Sequence, residues 1–109
     1  SSDLGVMIIG SGFLTHGLPF LKEFRIEATP PGWSTEFDLW AKEVLDRGAI
    51  DELMNYKALA PGMPYAHPTV EHFAPIFITL GASSQPDTAP TTAIDGYWMG
   101  LSKRSFQVA

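Results

Sequence analysis

The apolar positions of this 109-residue chain fall into runs of two kinds, continuous and helically spaced. Gly5-Val6-Met7-Ile8-Ile9 is continuous, is β-branched at Val6, Ile8 and Ile9, and closes on Gly10-Ser11-Gly12. A short unbroken apolar stretch ending in a flexible turn predicts a strand buried on both faces. A short helical piece follows around Leu18 to Phe24, entered near Pro19. Residues 25–33 are irregular, broken by Pro30-Pro31-Gly32.

Helical spacing then takes over. Phe37, Trp40, Ala41, Val44 and Leu45 form one apolar face of a helix that Ser34 or Thr35 would cap and that runs to Arg47. Gly48 is its natural stop. A second helix is predicted over Ile50 to Leu59, with Asp51 and Glu52 in its first turn, where carboxylates suit the helix dipole. After the loop Pro61-Gly62-Met63-Pro64, His67 or Thr69 would cap a third helix with Val70, Phe73, Ala74, Phe77 and Ile78 as its core face. Pro75 lies about one turn in and should distort that helix, which stops by Gly81. Residues 82–93 are rich in Ser, Pro and Thr and read as a loop. Residues 94–108 read as one or two strands bent at Gly100. The alternation predicts an α/β fold of about three strands and three or four helices, forming a single unit over residues 1–109.

Composition narrows the function. Charged residues are 17 % against an average near a quarter, so more of the surface than usual is neutral or covered by a partner. The net charge is −5, with no run of Lys or Arg. That argues against nucleic-acid binding and against a membrane surface. No apolar stretch approaches a bilayer span. With no cysteine there is no disulfide and no thiolate ligand, which agrees with a cytoplasmic location. Ser1-Ser2-Asp3-Leu4 runs directly into the apolar strand, so the chain reads as one entered partway through. The unpaired apolar edge Val6–Ile9 calls for a missing segment or a partner chain.

The candidate chemistry lies in two motifs that hold all three histidines. One is Gly10-Ser11-Gly12-Phe13-Leu14-Thr15-His16-Gly17, past the strand end, where ligands gather in α/β sheets. The other is His67-Pro68-Thr69-Val70-Glu71-His72-Phe73. Neutral imidazole is the commonest metal ligand and the usual general base near neutral pH. A catalytic divalent-metal site needs three protein ligands and an open position. His16 and His72 are candidate members, with Glu71 or His67 in reserve. Spacing alone leaves plainer roles open: His16 as a hydrogen-bonded structural group, His67 as a cap or loop tie, Glu71 as a dipole partner. Gly10-Ser11-Gly12 lacks the remaining residues of a phosphate loop. Trp33, Trp40 and Trp98 read as core or interface.

Taken together, Gly-Ser-Gly-x-x-x-His at 10–16, Phe37-Asp38-x-Trp40 and His67-Pro68-Thr69-x-Glu71-His72-Phe73-x-Pro75 resemble the C-terminal half of the class III extradiol ring-cleavage dioxygenases, in the branch of the 4,5-DOPA extradiol type. The resemblance runs from Gly5 to the segment Tyr97–Val108. It implies the C-terminal part of a three-layer α/β fold with a central mixed sheet flanked by helices. It also implies a non-haem Fe(II), with Zn²⁺ in some members, and the opening of a catechol ring beside its two hydroxyls with O₂. On the matching positions, His72 is implied as a metal ligand and His16 as a metal ligand or as the catalytic acid/base. His67 is kept outside the ligand set, and substrate-binding residues are not identified. Family members are roughly twice this length, and their N-terminal half supplies further metal ligands that this chain lacks. Two imidazoles alone should hold a metal poorly. The competing expectations are a non-catalytic binding or assembly module on the same scaffold, and a related metal-dependent enzyme that does not cleave rings.

Overall fold

The structure, a computed structural model, describes residues 4–109. A 3₁₀ turn at Leu18–Phe20 precedes four helices, α1 (Gly32–Asp46), α2 (Ile50–Met54), α3 (Tyr56–Leu59) and α4 (Ala74–Gly81). Four short strands follow, β1 (Thr91–Ile94), β2 (Tyr97–Trp98), β3 (Leu101–Ser102) and β4 (Ser105–Gln107). The α/β class expected from the sequence is the class observed. Both sheets are two-stranded antiparallel ribbons, β1 with β4 and β2 with β3. The β1–β4 register is interrupted by a bulge between Thr92 and Ile94. The β2–β3 hairpin turns on Met99 and Gly100, both at positive φ (53° and 79°), which matches the right-handed twist of the flanking strands. The bend expected at Gly100 is this turn.

Helix α1 organises the core. Phe37, Ala41, Val44 and Leu45 are buried along one face, as their spacing predicts, with Trp40 packed at the margin. Leu53 and Tyr56 from α2 and α3, and Phe73 and Ile76 from the start of α4, close over that face. Phe37, Phe73 and Phe77 meet edge to face, with centroids 5.5 Å and 5.3 Å apart.

Several expectations are corrected. Residues 5–9 form no strand and pair with none among the described residues, and Met7 and Ile9 are 81 % and 80 % exposed. A doubly buried strand needs neighbours on both edges and layers on both faces, and nothing in the described chain supplies them. Ser34 and Thr35 do not cap α1. The carbonyl of Pro31 accepts from the amides of both residues, so the helix begins earlier, at Gly32. The helix expected over Ile50–Leu59 breaks at Asn55 into α2 and α3. The third helix starts at Ala74, not at His67 or Thr69. Pro75 then falls in the first turn, where its missing N–H costs nothing, and it does not distort the helix. With residues 67–73 in turns, Val70 leaves the core face and is exposed, and Ile78 also faces outward. The loop of 82–93 gives way to β1 at Thr91. Among the described residues no helix is long and apolar enough to cross a membrane.

Candidate functional site

Three interactions fix the segment that carries His16. The His16 amide donates to the carbonyl of Ala66 at 2.7 Å. Thr15, fully buried, accepts the Ser102 amide at 2.7 Å. The same Thr15 oxygen shares a hydrogen bond with the buried Ser34 Oγ at 2.9 Å, using the remaining capacity of its hydroxyl. His16 thus stands above a polar tie between the 66–67 segment, α1 and β3.

His72 comes from the other side, in the turn before α4, and its neighbour Phe73 is locked in the core at 1 % exposure. Gly12 lies directly against this turn. A methyl group there would collide with the His72 carbonyl oxygen, so only glycine lets the two segments approach this closely. The result is that the imidazoles of His16 and His72 stack, with centroids 3.5 Å apart and planes 18° from parallel. Burial, and then the adjacent His72 ring, lower the His16 pKa from its ordinary value. His16 is therefore held neutral at physiological pH, the form that binds metals and accepts protons. His72 is exposed, which leaves the pair open on that side. The Phe13 ring lies 6.3 Å from that of His16 and 6.1 Å from that of Trp98.

The structure brings together His16 and His72 and engages the two reserve candidates with other partners. His67 is buried, and its Nε2 bonds the Leu14 carbonyl, so that nitrogen is committed. Glu71 is exposed, and its carboxyl is held low chiefly by the Thr69 hydroxyl. Sequence reasoning did not find the buried network beneath the pair. Arg104 forms a two-pronged ion pair with Asp38, Nε to Oδ1 and Nη2 to Oδ2, both at 2.9 Å, and both side chains are 6 % exposed. Ser102 Oγ donates to the same carboxylate at 2.5 Å. Burial alone would raise the Asp38 carboxyl, but the bonds from Arg104 and Ser102 and the guanidinium charge outweigh it and hold it below the usual range. The only sequence signal for this network was Asp38 on the otherwise apolar face of α1.

As a metal site the donors are chemically right and too few. Two imidazoles converge, but among the described residues no group of three metal-ligating side chains forms. The cavity beside the pair, bordered by Gly12, His72 and Arg104, holds about 100 Å³. Sites for small organic ligands typically run to roughly 300–1,000 Å³. The space beside the pair is smaller than such a ligand needs.

Comparison with known proteins gives the histidine pair a context. Residues 1–100 match the family model described as the catalytic LigB subunit of aromatic ring-opening dioxygenase. A 4,5-DOPA dioxygenase extradiol of Beta vulgaris is 36 % identical over 93 residues, covering 80 % of this chain and 32 % of the relative. One of Escherichia coli is 33 % identical over 112 aligned positions, covering 97 % of this chain and 40 % of the relative. The chain therefore spans about a third of the length of the curated relatives it matches.

Proposed function

Because the chain belongs to the family of the catalytic LigB subunit of aromatic ring-opening dioxygenases, we propose that it forms the C-terminal part of an enzyme that opens catechol-type rings with O₂. The observation that carries this reading is the stacking of His16 on His72, two imidazoles brought from distant segments to one edge of the molecule. In this reading His72 holds one side of a divalent non-haem metal, Fe(II) or Zn²⁺, and His16 stands beside it with a nitrogen left free for proton transfer. The remaining ligands come from the rest of the polypeptide or from a partner chain. When bound, the metal supplies a centre that brings the diol and O₂ side by side, replacing a chance encounter with a fixed geometry.

The chain's own residues have separate tasks. His72, the more exposed ring, holds the metal. His16, kept neutral by burial and by its neighbour, is placed to take a hydroxyl proton from the diol and to return it as the ring opens. Phe13 and Trp98 present aromatic surface next to His16, where a flat ring could rest. Residues Val6–Gly10 and Phe106–Ala109 line an open slot of about 470 Å³. A strand from the rest of the protein placed there would complete the sheet. The location we assign is cytoplasmic.

The test uses the complete polypeptide loaded with Fe(II) without oxygen, then given DOPA or another catechol and O₂. Appearance of a yellow ring-opened product is expected. His72→Ala should abolish metal retention, and His16→Ala should suppress turnover. A metal-loaded wild type that turns over none of several catechols would favour a non-catalytic module on the same scaffold.

A further inference from the structure

We propose that His67 is a positioning residue that sets the His16 ring against the His72 ring. The inference deepens the function proposed above and rests on it only where metal binding is concerned. His67 is 3 % exposed and cannot reach a substrate or an open metal site. Its Nε2 faces the carbonyl oxygen of Leu14 at 2.5 Å. A carbonyl only accepts, so Nε2 carries the proton and donates it. In return, the His16 amide donates to the carbonyl of Ala66, the residue before His67. Segments 14–16 and 66–67 are thus laced in both directions, and one of the two laces is a side chain.

The same imidazole also reaches the other half of the pair. Its ring packs on Phe73 at 4.7 Å and on Phe37 at 5.3 Å. Phe73 directly follows His72, and Leu14 lies two residues before His16. One buried ring therefore touches the backbone on one side and the core anchor on the other. Its second nitrogen, Nδ1, is buried with no hydrogen-bond partner. A phenylalanine would pack in this aromatic nest without that penalty. What the imidazole adds is the Nε2–H, a donor at the reach needed for the Leu14 carbonyl. Losing it leaves that carbonyl unsatisfied and frees the segment bearing His16.

Two readouts on the metal-free chain test this. The first needs no variant: nitrogen-15 NMR should show His67 fixed as the Nε2–H tautomer, and an Nδ1–H tautomer overturns the proposal. The second is the cross-ring NOE between His16 and His72. It should be present in wild type and in His67→Gln, whose amide nitrogen reaches the Nε2 position. It should vanish in His67→Asn, which is too short, and in His67→Phe, which has the shape without the donor. Thermal melts identify which variants fold. If His67→Phe does not, the Asn and Gln pair decides. Persistence of the NOE in a folded variant that lacks the donor overturns the proposal. Titration with Zn²⁺ on the complete polypeptide should show affinity reduced at least tenfold in His67→Asn and restored in His67→Gln. If the ring contact depends on His67 but no form takes up metal, the enzymatic reading fails and the positioning role stands.

Discussion

At the residue scale, His67 also makes the fold sensitive to acid. Burial lowers its pKa from 6.5 to about 4, and the bond to Leu14 recovers only part of that shift. The groups facing it are Phe37 from α1, Phe73, and the titratable rings of His16 and His72. The folded state prefers the neutral imidazole, so the unfolded state binds more protons between these two pH values. The stabilisation from a neutral His67 is then complete above pH 6.5 and declines as pH falls toward 4. Its full size is at most about 3.5 kcal/mol, at roughly 1.4 kcal/mol per pKa unit. Urea midpoints measured from pH 7 to pH 4 in wild type and His67→Gln isolate this contribution. Equal slopes in the two proteins would remove it.

The Asp38–Arg104 pair allows a second residue-scale test. Arg104→Met leaves a buried carboxylate without its partner and should cost about 3–5 kcal/mol. Asp38→Leu combined with Arg104→Met removes both charges and should recover most of that loss, because a buried ion pair returns little beyond its own desolvation. Denaturant unfolding of the single and double variants measures the difference. A double variant as unstable as the single one would show that the pair specifies the packing of β3 on α1 as well as neutralising charge.

At the element scale, the contact between Gly12 and the turn before α4 is the critical joint. Gly12→Ala must push the His72 carbonyl away, and a backbone atom gives way less readily than a side-chain end. The expected cost is about 1–3 kcal/mol, as for overpacking elsewhere. It should come with loss of the His16–His72 ring contact, read by the same NOE, while α1 keeps its helical circular dichroism signal. Legibility in the sequence follows the same division of elements. Helix α1 was readable because its apolar face packs on residues of this chain, so pattern and environment agree. The segment 67–73 was misplaced because its apolar residues sit at helical spacing while its backbone is held by tertiary bonds, with Ala66 tied to His16 and Phe73 to the core. Pro75 was read as an interruption and is instead the first turn of α4. The two site histidines were readable as residue types at loop edges, and their convergence was expected through the family resemblance, not from their spacing. It depends on Gly12, Thr15, Ser34 and Ser102, and none of these carries a chemical signature in the sequence.

At the scale of the whole molecule, the apolar run Val6–Ile9 defines what the chain lacks. Its continuous apolar, β-branched sequence is of a kind that buries, yet among the described residues Val6, Met7, Ile8 and Ile9 are all exposed. The same shortfall applies to the proposed metal site. A catalytic divalent centre uses three protein ligands, and this chain brings two imidazoles together. Their stacking preorganises them, which helps, but two neutral donors leave most of an ion's coordination to water. The 109-residue chain alone should therefore bind Zn²⁺ weakly, with a dissociation constant in the high micromolar to millimolar range, about −4 to −6 kcal/mol. Adding the remaining polypeptide should tighten binding by orders of magnitude and bury Val6–Ile9 at the same time, because one added strand layer would satisfy both needs. Calorimetry of the chain with and without the complementary segment, alongside hydrogen exchange at Val6–Ile9, follows both events. Tight stoichiometric metal binding by the chain alone would mean that a third ligand is already within reach, and that His16 and His72 belong to a complete site.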